Sequence, residues 1–223
     1  MTSRTWWPAF GIATFVLTPL ALAGVGDAPD PHLGDAEITA WFTLHRDAVL
    51  ASAPFGYLTA LAIGLFSFGL AAELSVRPAA AVRAGGSIAA GYFAFLQVAY
   101  TTLAYGGDAG GLFVATILTV PVFAIGVALL LGGAAGGGIR PRWLSRLAAA
   151  GAVAVTPAVL SFADSGWLSP DVEQQVVANG LLLWLLLAGI RLTGRRSTPA
   201  AASGPRVAEP PARQVDDVAV SWW

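Results

Sequence analysis

Apolar runs separated by short charged intervals dominate this chain, and each run is about the length that crosses a bilayer as a helix, roughly 17–25 residues. The first uncharged interval covers Thr5–Gly26, the second Ala48–Ala72 and the third Ala84–Gly107. A fourth lies within Ala109–Ile139, with its helix expected to stop near Leu131, before the glycine-rich stretch 132–138. The fifth and sixth, Leu147–Ala163 and Gln174–Ile190, are shorter, and Arg146 and Arg191 can extend them by snorkelling. The pattern therefore predicts an all-α polytopic membrane bundle of six transmembrane helices over residues 1–192. The tail, 193–223, lacks helical period and is rich in Ala, Pro, Ser and Arg, so it is expected to be disordered, with Trp222 and Trp223 resting at the headgroup level or docking a partner.

One polar interval breaks the pattern. Gly24–Leu50 holds both histidines, His32 and His45, and a concentration of acids. Gly26–Gly34 reads as a turn region. Asp35 can then cap a helix, with Glu37 in its first turn facing the positive end of the dipole. From there Ile38, Trp41, Phe42, His45 and Val49 fall on one arc at helical spacing, with Thr43 and Asp47 opposite. The expectation is a short amphipathic outer helix, Asp35–Leu50, before Ala53-Pro54 turns the chain into the second span.

Composition agrees with a membrane assignment: 11% of residues are charged and 56% hydrophobic, whereas a soluble domain is about one quarter charged. Cysteine is absent, which excludes a disulfide framework, a thiolate metal site and a thiol nucleophile; lysine is absent, which excludes Schiff-base chemistry. The net charge of −1 conceals an asymmetry. With the amino terminus inside, the inner segments carry eleven arginines against four acids and the outer segments one arginine against nine acids, +7 and −8. That is the positive-inside pattern, and it predicts a plasma-membrane protein with both termini cytoplasmic. A rival reading takes Arg4, the following apolar run and Ala21-Leu22-Ala23 as a cleavable signal peptide; Trp6, Trp7 and the span-length run favour an uncleaved first helix.

Candidate chemistry is sparse. No ionisable side chain lies deep in an expected span, which speaks against proton- or ion-coupled transport. Gln97 in the third span and Asn179 in the sixth are the intramembrane amides. Gly86, Ala90, Phe93, Gln97, Tyr100 and Thr101 share a face, and Gln175 with Asn179 is expected to mark the buried face of the sixth span. Such amides either bond across helices or line a polar cavity for a neutral ligand. Glu73 and Arg77 read as an i,i+4 ion pair at an inner helix end. Thr119-Val-Pro121 and Thr156-Pro157 are expected kink sites. His45 reads as a packed histidine first, and as a base or ligand second. Its separation from His32 carries no metal-ligand spacing, so no metal or other cofactor is indicated. Glycines 132–138 read as a flexible link, since they lack the Lys-Ser/Thr of a phosphate loop, and nothing suggests nucleic acid.

Glu37-Ile38, Trp41-Phe42 and His45-Arg46 resemble the first outer loop of small six-helix integral membrane proteins of actinobacteria, grouped as domains of unknown function. Pro141-Arg142-Trp143-Leu144, and Phe162, Asp164 and Gly166 after the fifth span, match that group as well. The resemblance implies a fold and no reaction. A second likeness, to membrane lipid-phosphate phosphatases, stops at six helices and an acidic outer loop, because their signature motifs are absent. Three functions follow as expectations. The first is non-enzymatic binding of a small neutral or apolar ligand, a lipid or a partner protein, through Trp41, His45, Gln97, Tyr100 and Asn179. The second is facilitative transport of a small molecule, and the third an enzyme using His45 with Glu37 or Asp164. Asp35 and Arg46 complete the polar outer set, and lipid, a membrane-protein partner or a second copy are the expected companions.

Overall fold

The computed structural model describes residues 6–25, 29, 33–107, 109–160 and 170–195. The chain is helical throughout these residues, with no strand among them. The elements are α1 (Trp7–Leu22), α2 (Asp35–Leu44), α3 (Arg46–Ala71), α4 (Val76–Ala104), α5 (Ala109–Leu118), α6 (Val120–Gly136), α7 (Arg142–Ala154), a 3-10 turn (Thr156–Leu160) and α8 (Pro170–Arg195). Four stretches are long and apolar enough to cross a membrane: Arg46–Ala71, Val76–Ala104, Gly111–Gly136 and Gln175–Gly194. α1 is apolar but has only 16 residues.

Successive long helices run up and down and pack side by side in the order α1, α3, α4, α6, α7, α8, and α8 returns to α1. Without a hydrophobic force between helices in lipid, close backbone approach must supply the adhesion. It does so at glycines. A Cβ on Gly11 would strike the Leu185 carbonyl of α8 and the Phe66 ring of α3, and one on Gly85 would fall on the Leu130 and Gly126 backbone of α6. Aromatic rings fill the wider gaps. Trp7, Phe66 and Trp184 meet edge to face across α1, α3 and α8, at centroid spacings of 5.2 and 6.0 Å. Tyr92 stacks on Phe123 between α4 and α6 at 4.4 Å. Outward-facing Leu61, Phe68, Val122, Leu183 and Ile190 are each more than half exposed, which gives the bundle the apolar belt that lipid requires.

Several boundaries differ from the sequence reading. The second span begins at Arg46, and Pro54 lies inside α3; the chain turns at Leu44–His45 instead, where α2 ends. A proline inside a helix removes one backbone bond, and packed neighbours in a membrane tolerate it. The fourth span is divided at Thr119. Pro121 has no N–H for the Ile117 carbonyl, and Thr116 and Thr119 turn their hydroxyls back to the Phe113 and Thr116 carbonyls at 2.6 and 2.7 Å. Far from being a link, glycines 132 and 133 and the residues to Gly136 continue α6, because the Gly133 position abuts Pro78, Val82 and Ala81 of α4. α7 starts earlier than Leu147 and stops at Ala154. Pro157 then converts the helix into the 3-10 turn, with Thr156 Oγ1 donating to the Ala152 carbonyl at 3.0 Å. α8 starts at Pro170 and runs to Arg195, beyond both expected ends.

Two ends result. One gathers the start of α1, the end of α3, the start of α4, the end of α6, the start of α7 and the end of α8, with Arg77, Arg83, Arg140, Arg142, Arg146 and Arg191 all exposed. The other carries α2, with Asp35, Glu37, Arg46 and Asp47. Glu73 lies in the turn after α3 and Arg77 in the first turn of α4, so the two do not share the helix on which the expected i,i+4 pair was placed. Glu73 Oε1 instead accepts from Trp7 Nε1 at 3.1 Å, so Trp7 is a buried tie between α1 and α3, while Trp6 is the exposed ring.

Candidate functional site

Gly34, not Asp35, is the residue before the first turn of α2, and its N–H donates to Glu37 Oε2 at 3.3 Å. Asp35 occupies the first helical position, where its charge still faces the positive dipole end. The amphipathic stripe packs inward as its spacing requires. Ile38, Phe42 and Val49 are buried with Val25, Leu103, Ala104 and Phe113 in a second apolar cluster, separate from the main core. Phe42 is its centre: its ring lies 5.8 Å from Tyr100 of α4 and 6.0 Å from Phe113 of α5. α2 therefore rests on the bundle, on α4 and α5.

His45 lies at the edge of this cluster, half-buried. Its ring stacks on Trp41 at 4.1 Å, and Nδ1 lies 2.9 Å from the Trp41 carbonyl. A carbonyl can only accept, so Nδ1 carries the proton. The same carbonyl also takes the His45 backbone N–H at 3.0 Å, which closes α2 and lets α3 begin. This geometry gives His45 a capping role. Among the described residues it has no carboxylate partner, and no three His, Asp, Glu or Cys side chains gather as a metal set. Arg46 places its guanidinium carbon 4.7 Å over the Tyr105 ring, tying the start of α3 to the end of α4. His32 and Asp164 lie outside the described residues.

Deeper in the bundle, Gln97 is only 3% exposed. Its side chain fills the space that a Cβ on Gly56 of α3 would take, so the amide is pressed between α3 and α4 on the α2 side of their midpoints. One turn further on, Thr101 Oγ1 is buried with no partner among the described residues, and so is Tyr92 Oη on the α6 side of the same helix. A buried amide or hydroxyl left unbonded costs on the order of 1–3 kcal/mol. Tyr100, between Gln97 and Thr101 in sequence, closes the space toward Phe42. Helical spacing placed Thr101 on the Gln97 face, but Tyr92 and Gly56 were not singled out from sequence: a lone tyrosine or glycine carries no spacing signal, and the Gly56–Gln97 contact joins residues far apart in the chain.

Asn179 does not join them. It is exposed on α8, as is Gln175, while Val177, Leu181, Trp184 and Leu185 form the buried face. The expectation that the amides mark the inner face of this helix is overturned by volume: the large apolar side chains took the contact with α1, α6 and α7. The five expected ligand residues thus separate into Trp41 and His45 at the rim, Tyr100 and Gln97 inside, and Asn179 on the outer surface.

No family model matches the chain, and no match was found among curated proteins or solved structures. Of the motifs that suggested a resemblance, Glu37–Arg46 covers α2 and the turn into α3, Pro141–Leu144 opens α7, and Phe162–Gly166 lies outside the described residues.

Proposed function

We propose that this chain is a plasma-membrane protein of six crossings, both termini cytoplasmic, that binds a small neutral ligand non-enzymatically in its outer half. The six crossings would be α1, α3, α4, α5 with α6, α7 with its 3-10 turn, and α8. Segregation of exposed arginines to one end of the bundle supports the orientation. One observation carries the ligand reading: the Thr101 hydroxyl is buried without a partner among the described residues, one turn from the Gln97 amide that lies against Gly56. A ligand offering both a donor and an acceptor, such as an alcohol or carboxamide, would complete both groups, and the Phe42, Tyr100 and Phe113 rings suit an apolar body.

The test is purification in mild detergent with mass spectrometry of retained small molecules, comparing the parent chain with Gln97→Leu and Thr101→Val. A molecule retained by the parent and lost from both variants supports the reading. Identical retained species in all three would sink it.

A second reading, facilitative transport, is favoured by the helix breaks at Thr119 and Val155, which can serve as hinges between open and closed outer halves. Uptake into vesicles of a molecule identified above separates transport from binding.

A further inference from the structure

The exposed amides of α8 carry a second assignment. Asn179 lies roughly 18 Å along the helix axis from Arg191, well inside a hydrocarbon layer about 30 Å thick. Gln175 follows one turn nearer the α2 end, on the same face. Neither amide has a hydrogen bond among the described residues, and lipid tails offer none. Beside them Gly180 is open, with nothing in reach of a Cβ placed there, so another backbone can approach closely. Leu183 and Ile190 continue the exposed face toward the arginine end.

We propose that two copies of this chain pair through this face of α8, Asn179 meeting Asn179. The commitment to a second copy follows from symmetry. Two copies inserted with the same topology are related by a two-fold axis along the membrane normal, so a residue at a given depth meets its own counterpart at that depth. Such a self-contact suits a group that is both donor and acceptor, and an amide is one: each Asn179 gives an N–H and takes one. A charged or donor-only side chain there would repel its twin. The proposal rests on the membrane reading above and is independent of the ligand reading.

Because the chain has no cysteine, one substitution makes a site-specific probe. Asn179→Cys, expressed full length in its own membranes and oxidised with copper phenanthroline, should give a disulfide-linked band at twice the chain mass. Leu61→Cys, exposed on α3 and not on α8, should give at least fivefold less. In parallel, Asn179→Leu should weaken dimerisation in detergent roughly tenfold, the loss expected when two interhelical hydrogen bonds disappear. Gly180→Leu should do so by blocking approach. A monomeric Asn179→Cys band in the membrane fraction overturns the pairing, as does equal cross-linking at Leu61→Cys or a cross-link to a protein of another mass. Release of the chain from membranes by alkaline carbonate overturns the membrane reading itself.

Discussion

The arginine end and the α2 end of the bundle are built from the same residue types to opposite effect. At the arginine end three polar side chains find partners across elements, Trp7 Nε1 with Glu73 at 3.1 Å, Ser145 Oγ with the Ala135 carbonyl at 2.7 Å, and Trp184 Nε1 with the Leu144 carbonyl at 3.3 Å, while Ser67 and Thr193 bond back to carbonyls of their own helices. Close approach occurs there at two glycines, Gly69 against the Trp7 side chain and Gly189 against the Pro8 carbonyl. At the α2 end the helices are interrupted at His45, Thr119 and Val155, hydroxyls bond back to their own helices, and Thr101 Oγ1 is buried without a partner among the described residues. Cross-element contacts tie the first region together; the second retains a buried hydroxyl, Thr101 Oγ1, that the described residues do not satisfy. Unmet polar groups in an otherwise close-packed interior are where a guest gains most.

That contrast predicts a graded series. Gly85→Val, which drives a branched side chain onto the Leu130 backbone, should cost about 3 kcal/mol or more and abolish a cooperative thermal transition in detergent. A transition close to that of the parent would mean that α4 and α6 are less tightly apposed than described. Phe42→Ala removes the centre of the second cluster and should cost about 3 kcal/mol. Its effect should stay local: hydrogen exchange would accelerate in 35–44 while α3 and α4 retain protection. Global acceleration would show that the two regions are not separable. Trp7→Phe keeps the ring contact with Phe66 but loses the bond to Glu73, for an expected loss of about 1–2 kcal/mol by denaturant titration. Gln97→Leu has the opposite sign. Replacing the buried amide by an apolar side chain should raise stability by about 1 kcal/mol while abolishing ligand retention. If stability instead falls by that much, the amide is satisfied in the membrane and the contrast weakens.

Much of this was legible in the residue order. The stripe Ile38, Phe42 and Val49 is buried at the spacing that announced it, and the face from Gly86 to Thr101 is the one α4 turns toward its neighbours. The kink sites at Thr119 and Thr156 were legible because proline chemistry is local. What stayed hidden had a common cause. The break at His45 depends on a carbonyl taking two N–H groups and on a ring stack, neither of which any periodicity encodes. Gly56 became part of the site only because Gln97, distant in sequence, lies against it.

By itself the sequence determined that the chain forms long apolar helices, roughly where they lie, and how their charges divide between the two ends. The reason is that a helix in lipid satisfies its own backbone and needs no distant partner to exist. Only the tertiary structure decided which face of each helix turns inward. Gln97 and Asn179 are both amides near one end of an apolar helix. One is buried because Gly56 makes room for it, and the other is exposed because Trp184, Leu185 and their neighbours fill the contact first. Shape complementarity between elements made that choice, and it is a property of pairs of helices.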